Sequence, residues 1–403
     1  MREDRARGIG APEPAGWRIP AVVLLATIEI TVILILMSDL GLWTDTMEYW
    51  SAASVNLSGG NPYDPATMSD VQVAAGWENP RTAMMWNPPW TLPLVYPLAV
   101  FPYRSASLVW SAFLLGVALL TVFLSWRIYG VQSMPPGLVF ALLMLFPPLW
   151  FAVFGGQIGP LIAVGLVGFL WSVLHGKDRT AGACLFLLTI KPHLMLLPLV
   201  AALLWSLREK RFRILASALL VTGAAALIPL FSNGDVWVQY VDRVIHSQPR
   251  GYVTTTFGAA LRAVFGWDRF WLQFLPSALG MAWLISYWGR KQAQWSWMNE
   301  LPIVILASVL TAAYGWVHDL VVLLPVLAQM ISWYWLRSVR RSQRLLGLML
   351  LAGGYVIVVL QQFMFDNRQL LHLWIAPAML VGYLVLRRRE RKDQSRQTTL
   401  SRQ

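Results

Sequence analysis

Apolar runs separated by short polar breaks repeat along nearly the whole chain. The first extends from Ile19 to about Leu40, and a polar stretch follows from about Trp43 to Asn87. Then come Pro88–Pro102, Ala106–Trp126, Leu138–Phe154, Gly159–Leu174, Ala181–Ile190, Leu194–Trp205 and Ile214–Phe231. Phe270–Trp288, Leu301–Trp316, Leu320–Leu336, Leu345–Leu360 and Leu370–Leu386 complete the series, after a second polar loop at Ser232–Arg269. Runs approaching about 20 apolar residues read as membrane-spanning helices, so the pattern predicts an all-α polytopic membrane protein. Pro88–Pro102 is short and carries five prolines. Proline-broken backbone at membrane depth needs cover from protein or water, so this segment is expected to dip in rather than cross. Twelve crossings then remain, with both termini on the same side. In the alternative it crosses, Ala181–Trp205 crosses once, and Arg127 and Lys177-Asp178-Arg179 fall outside, against the positive-inside bias.

Composition removes the soluble alternatives. Of 403 residues 57% are hydrophobic and only 13% charged, whereas soluble domains carry about 25% charge. The net charge of +12 is concentrated beside apolar runs, at Arg208–Arg213, Arg337–Arg344 and Arg387–Lys392. That is the signature of cytoplasmic loops rather than of a nucleic-acid surface. It sets the N-terminal tail (1–18) and the basic tail (387–403) inside, the latter as a disordered end, and the polar loops 41–87 and 232–269 outside. Gly155-Gly156-Gln157 and Lys191-Pro192-His193 also fall on the outer side of the intervening membrane domain, 19–386. The 22 tryptophans suit membrane–water interfaces. Cys184 is the single cysteine, which excludes an intramolecular disulfide and a cysteine-based metal site. Glu29, in the middle of the first apolar run, is either a functional intramembrane carboxylate or a paired structural one.

The first polar loop carries most of the chemistry. Met47, Trp50, Ala53 and Leu57 recur at helical spacing, which predicts a short amphipathic helix on the membrane surface, ended by Gly59-Gly60. Asp64-Pro65 reads as the cap and first residue of a second short helix toward Gly76. Asp45 with Glu48 fits a helix-capping pair; equally, Asp45 is a carboxylate at the outer membrane face, on the helical side of Tyr49, able to take a proton.

The run Asp45…Tyr49-Trp50-Ser51-Ala52-Ala53…Gly59-Gly60-Asn61-Pro62-Tyr63-Asp64-Pro65 resembles the first outer loop of glycosyltransferase family 87. Asn87-Pro88-Pro89, Gly156-Gln157, Ile190-Lys191-Pro192-His193 and Gly315-Trp316-Val317-His318-Asp319 resemble later family segments in the same order. The chain departs from the family pattern at Ala313-Tyr314, where Ser-Pro is usual, and at His193. The resemblance implies a GT-C-like bundle transferring a sugar, most often mannose, from a polyprenyl-phosphate donor to a hydroxyl acceptor on the outer face, with inversion. On that reading Asp45 is the general base. Lys191, His193 and His318 are candidates for the donor phosphate, with Arg250 and Arg262 behind them. Glu48, Tyr49, Gln157, Tyr314 and Asp319 are candidates for the substrates. Tyr314 and His318, four apart, are expected on one helical face.

Each candidate has a plainer alternative. Lys191 could snorkel or pair with an acid, Gln157 could satisfy backbone at the glycine break, and Asp319 could cap a helix. A single displacement with phosphate as leaving group needs one base and positive charge near the bridging oxygen. No Asp-x-Asp or HExxH occurs, so the site is expected to work without metal or other cofactor, its partners being membrane lipid, the donor and an unidentified acceptor. The competing class is a transporter or flippase, for which interrupted helices in matching halves would be expected. Here the breaks gather in the first half.

Overall fold

The computed structural model of the protein describes residues 44–131, 133–247, 250–337, 341–364 and 369–400. The first apolar run, Glu29 and the N-terminal tail lie outside them. The described residues are helical with no strand. They form α1 Thr44–Leu57, α2 Pro65–Ala74, α3 Tyr103–Tyr129, α4 Pro136–Met144, α5 Pro147–Gly155, α6 Gly159–Leu174, α7 Asp178–Leu188 and α8 Leu196–Arg208. α9 Phe212–Leu227, α10 Val236–His246, α11 Phe257–Phe265, α12 Leu275–Lys291, α13 Trp297–Thr311, α14 Leu324–Arg337, α15 Arg341–Met364 and α16 Ile375–Leu400 follow.

Five stretches among the described residues are long and apolar enough to cross a membrane: Tyr103–Tyr129, Phe212–Phe231, Val317–Arg337, Ser342–Gln362 and Gln369–Glu390. α4 and α5, bent by 57° across their junction, add a sixth if they count as one broken span. Among the described residues several of the other apolar runs form shorter helices. Gly159–Leu174, Leu196–Arg208 and Trp297–Thr311 are apolar helices of 10–17 residues. Pro88–Pro102 forms no continuous helix but three short turns, Pro89–Thr91, Leu92–Val95 and Tyr96–Val100, as its prolines dictate.

Between short helices, small residues permit close approach. A side chain at Gly182 on α7 would strike the backbone of Ile214 and lie 2.7 Å from Ser217 Cβ on α9. Small contact residues of this kind are how helices associate where lipid supplies no hydrophobic drive between them.

Two local expectations are corrected. α1 does form, but Met47, Tyr49, Ala52 and Ala53 are fully buried, so it is embedded in the protein rather than laid on a membrane surface. The C-terminal run is not disordered after Leu386, since α16 continues to Leu400. Its Arg, Glu, Lys and Gln residues are strong helix formers, and Arg387 and Glu390 tie it to Glu300 and Arg337 at 2.7 and 2.6 Å.

Candidate functional site

Three breaks in the helical pattern meet at one place. The first is Gly155-Gly156-Gln157, which ends α5. Gly156 adopts φ +73°, and a Cβ there would collide with Thr46 in the first turn of α1. Glycine is required both by the left-handed backbone and by that contact. Trp110 Nε1 on α3 donates to the Gly156 carbonyl at 2.7 Å, fixing the turn. The first turn of α1 therefore seats directly on this break, and a Cβ on Gly155 would lie 3.6 Å from Asp45 Oδ2. Asp45 is the second residue of α1 rather than its cap, with its side chain half-buried at the seat. Downstream, Asp64 does cap α2, accepting from Thr67 N at 2.8 Å.

The second break is the turn between α7 and α8, where Pro192 stops the helix. Lys191 is 5% exposed. Its ammonium donates to Asp319 Oδ1 at 2.7 Å and to Gln157 Oε1 at 3.0 Å. Tyr49 donates to the same Gln157 oxygen at 3.2 Å, so one amide oxygen joins α1 to the lysine turn. The pairing alternative for Lys191 is thus realised, and Gln157 serves side chains rather than the backbone at the glycine break. A buried ion pair is tolerated only with good geometry and further hydrogen bonds, both present here.

The third break, Ala312–Trp316, separates α13 from the 3-10 turn Val317–Leu323 that leads into α14. Asp319 Oδ2 accepts from Trp316 N at 3.0 Å. Asp319 therefore both closes a helix start and holds Lys191, and its Oδ2 lies 3.8 Å from His318 Nε2, beyond hydrogen-bond range. Tyr314 sits in the extended break, so it does not share a helical face with His318. Its ring meets that of His193 edge-on, with centroids 6.0 Å apart. His318 instead stacks parallel to Trp316, whose ring lies 5.9 Å from the Lys191 ammonium.

Electrostatics divide the roles. Burial, reinforced by the neighbouring Asp45 charge, raises the Glu48 carboxyl well above its ordinary range, with Tyr49 and Lys191 opposing. Charge on Glu48 is thereby disfavoured at this seat. Burial beside Lys191 lowers His193 to about 4. His193 is therefore a neutral imidazole near pH 7, not a cation. His193 Nε2, His318 Nε2 and the Tyr314 hydroxyl are all buried without a hydrogen-bond partner. Buried polar atoms in that condition are uncommon, and two of these, on His193 and Tyr314, belong to rings in contact.

Further side chains from the loops complete the frame. Asn87 Nδ2 donates to Ile190 O at 2.8 Å, Trp90 Nε1 to Thr189 O at 3.1 Å, and Tyr63 to Asn87 O at 3.1 Å. The proline-rich segment thus clamps the lysine turn. Gln369 Oε1 accepts from Val317 N at 3.1 Å and Thr255 Oγ1 at 2.9 Å, holding the third break from the far end of the chain. Arg262, 1% exposed, spends its guanidinium on Arg250 O, Trp267 O and Gln273 and so knits its own loop.

An all-helical chain with several membrane-length apolar helices and a buried polar junction of three helix breaks is a multi-pass membrane protein with a built internal site. The family model of glycosyltransferase family 87 matches residues 86–362, about two thirds of the chain, and the chain belongs to that family. It is accordingly a membrane glycosyltransferase. The match takes in Gln157, Lys191, His193, Tyr314, His318 and Asp319; Asp45, Glu48 and Tyr49 lie before it. No curated protein and no solved structure matches the chain.

Proposed function

We propose that the protein transfers a sugar, mannose by its family resemblance, from a polyprenyl-phosphate donor to a hydroxyl acceptor at the outer membrane face, with inversion. The acceptor oxygen attacks the anomeric carbon and its proton passes to the Asp45 carboxylate. The bond from that carbon to the phosphate oxygen breaks, and its electron pair leaves on the polyprenyl phosphate. The Lys191 ammonium, already donating to Asp319 and Gln157, has a third N–H to offer, and His193, Tyr314 and His318 supply neutral polar atoms around the same position. Charge developing on the leaving oxygen is best stabilised by such fixed groups in a site closed to water.

The observation that carries this reading is the tie from Tyr49 through Gln157 to Lys191, which holds the helix bearing Asp45 against the one buried ion pair of the three-break junction. The test is transfer by the purified protein from synthetic polyprenyl-phosphate-mannose. Turnover that survives a chelator, with none from a nucleotide-mannose, is the expected result. Turnover only from the nucleotide sugar, or only with added divalent metal, overturns the reading.

A further inference from the structure

The third break has no helical ladder of its own, and a buried N–H or C=O left without a partner is costly. Its partners come from segments remote in sequence. Gly315 O accepts from Thr255 N at 2.8 Å. Ala313 O accepts from Gln273 Nε2, and Gln273 Oε1 in turn accepts from Arg262 Nη1 at 3.1 Å. Val317 N, the first donor of the 3-10 turn, donates to Gln369 Oε1 at 3.1 Å. The Thr255 hydroxyl closes the grip, donating to that same oxygen at 2.9 Å and to Gln369 O at 3.1 Å. Thr255, Gln273 and Gln369 are all buried.

Alternate residues, Ala313, Gly315 and Val317, are held in this way through their backbone. The two between them carry rings that face the junction. Tyr314 meets His193 with centroids 6.0 Å apart, and the Trp316 ring lies 5.9 Å from the Lys191 ammonium. Trp316 N is taken by Asp319 Oδ2, so the same stretch orients the acid that pairs with Lys191. The grip therefore sets where Tyr314, His318 and Asp319 stand relative to the lysine turn.

We infer that Thr255, Gln273 and Gln369 are positioning residues of the transfer reaction, holding the third break so that Tyr314, His318 and the Lys191–Asp319 pair keep the geometry that receives the leaving phosphate. This rests on the transferase reading above and adds to it residues that act through the backbone of the break. A misplacement near 1 Å costs on the order of a hundred-fold in rate, so the smaller shift allowed by losing one hydrogen bond should cost about ten-fold. Charge on the leaving oxygen develops in the transition state, so the loss falls on kcat rather than on KM.

Steady-state transfer from synthetic polyprenyl-phosphate-mannose by the full-length protein in lipid nanodiscs, with thermal unfolding of the same samples, tests this. Thr255→Val keeps the side-chain shape and the backbone N–H to Gly315 but removes the hydroxyl. It is expected to lower kcat about ten-fold with the donor KM within about two-fold of wild type. Thr255→Ser, which restores a hydroxyl, is expected to recover most of the rate. Gln273→Glu puts an acceptor where the donor to Ala313 O stood while keeping a partner for Arg262. It is expected to lower kcat in the same way, and it decides the matter if Thr255→Val does not fold. Unchanged kcat, a rise in KM at full kcat, an equal loss in Thr255→Ser, or a loss no larger than the unfolded fraction accounts for overturns the positioning role. Any of these beside wild-type turnover removes that role alone, whereas absence of wild-type turnover removes the transferase reading and the positioning role with it.

Discussion

At the scale of the residue, the site depends on which groups carry charge and which are kept neutral. Glu48 and Asp45 sit one helical turn apart, and burial beside Asp45 raises Glu48. Two close carboxyls in a desolvated site do not both ionise readily. His193 provides an independent check through stability. Its value falls from 6.5 to about 4 on folding, so the unfolded chain binds the extra proton between those limits. Stability linked to His193 is therefore fully present above 6.5 and is lost as pH falls toward 4. Thermal unfolding of His193→Asn is expected to show a flatter pH dependence than wild type across that window. Identical slopes would show that His193 is not held neutral by the fold.

At the scale of the element, the site exists where helices stop. Gly155-Gly156, Pro192 and the Ala312–Trp316 stretch each interrupt a helix, and each interruption supplies or positions a polar side chain. Gly156→Ala is expected to cost about 1–2 kcal/mol from left-handed backbone strain alone. Contact with Thr46 would push α1 away as well, and a displacement near 1 Å can cost on the order of a hundred-fold in rate. Thermal unfolding and turnover measured together check this; a stability loss with full turnover would mean that the seat of α1 is not part of the active geometry. The breaks were legible in the sequence because Gly, Pro and polar residues interrupt apolar runs visibly. The partnerships were not. Lys191 and Asp319 are 128 positions apart, and nothing local distinguishes a lysine that snorkels from one that pairs. Local spacing also misled at Tyr314, since four residues apart means one face only if the helix is continuous. At α1, apolar spacing looks like a membrane-facing stripe because the proline-rich cover above it is non-local.

At the scale of the whole molecule, the Lys191–Asp319 pair joins the first half of the membrane domain to its last third. Removing one partner leaves a buried charge uncompensated, which costs about 3–5 kcal/mol, while replacing both with apolar residues of similar size is often neutral. Lys191→Met is therefore expected to destabilise the protein strongly, and Lys191→Met with Asp319→Leu to recover most of that stability without recovering transfer. Recovery of transfer as well would make the pair purely structural. The overall class, all-helical and membrane-embedded, was readable from composition, as was the family from motif order. The number of full spans was not, because apolar length cannot distinguish a crossing helix from a short one enclosed by its neighbours.

The central claim is that Asp45, seated against the glycine break, takes the acceptor proton and Glu48 does not. Single-turnover transfer from polyprenyl-phosphate-mannose by Asp45→Asn and Glu48→Gln, with donor binding measured in parallel, tests it most directly. Asp45→Asn should lose on the order of 10²–10⁴ in rate with donor binding retained, and Glu48→Gln, which mimics the protonated side chain, should remain within a few-fold of wild type. Near-normal transfer by Asp45→Asn, or a collapse confined to Glu48→Gln, would contradict it.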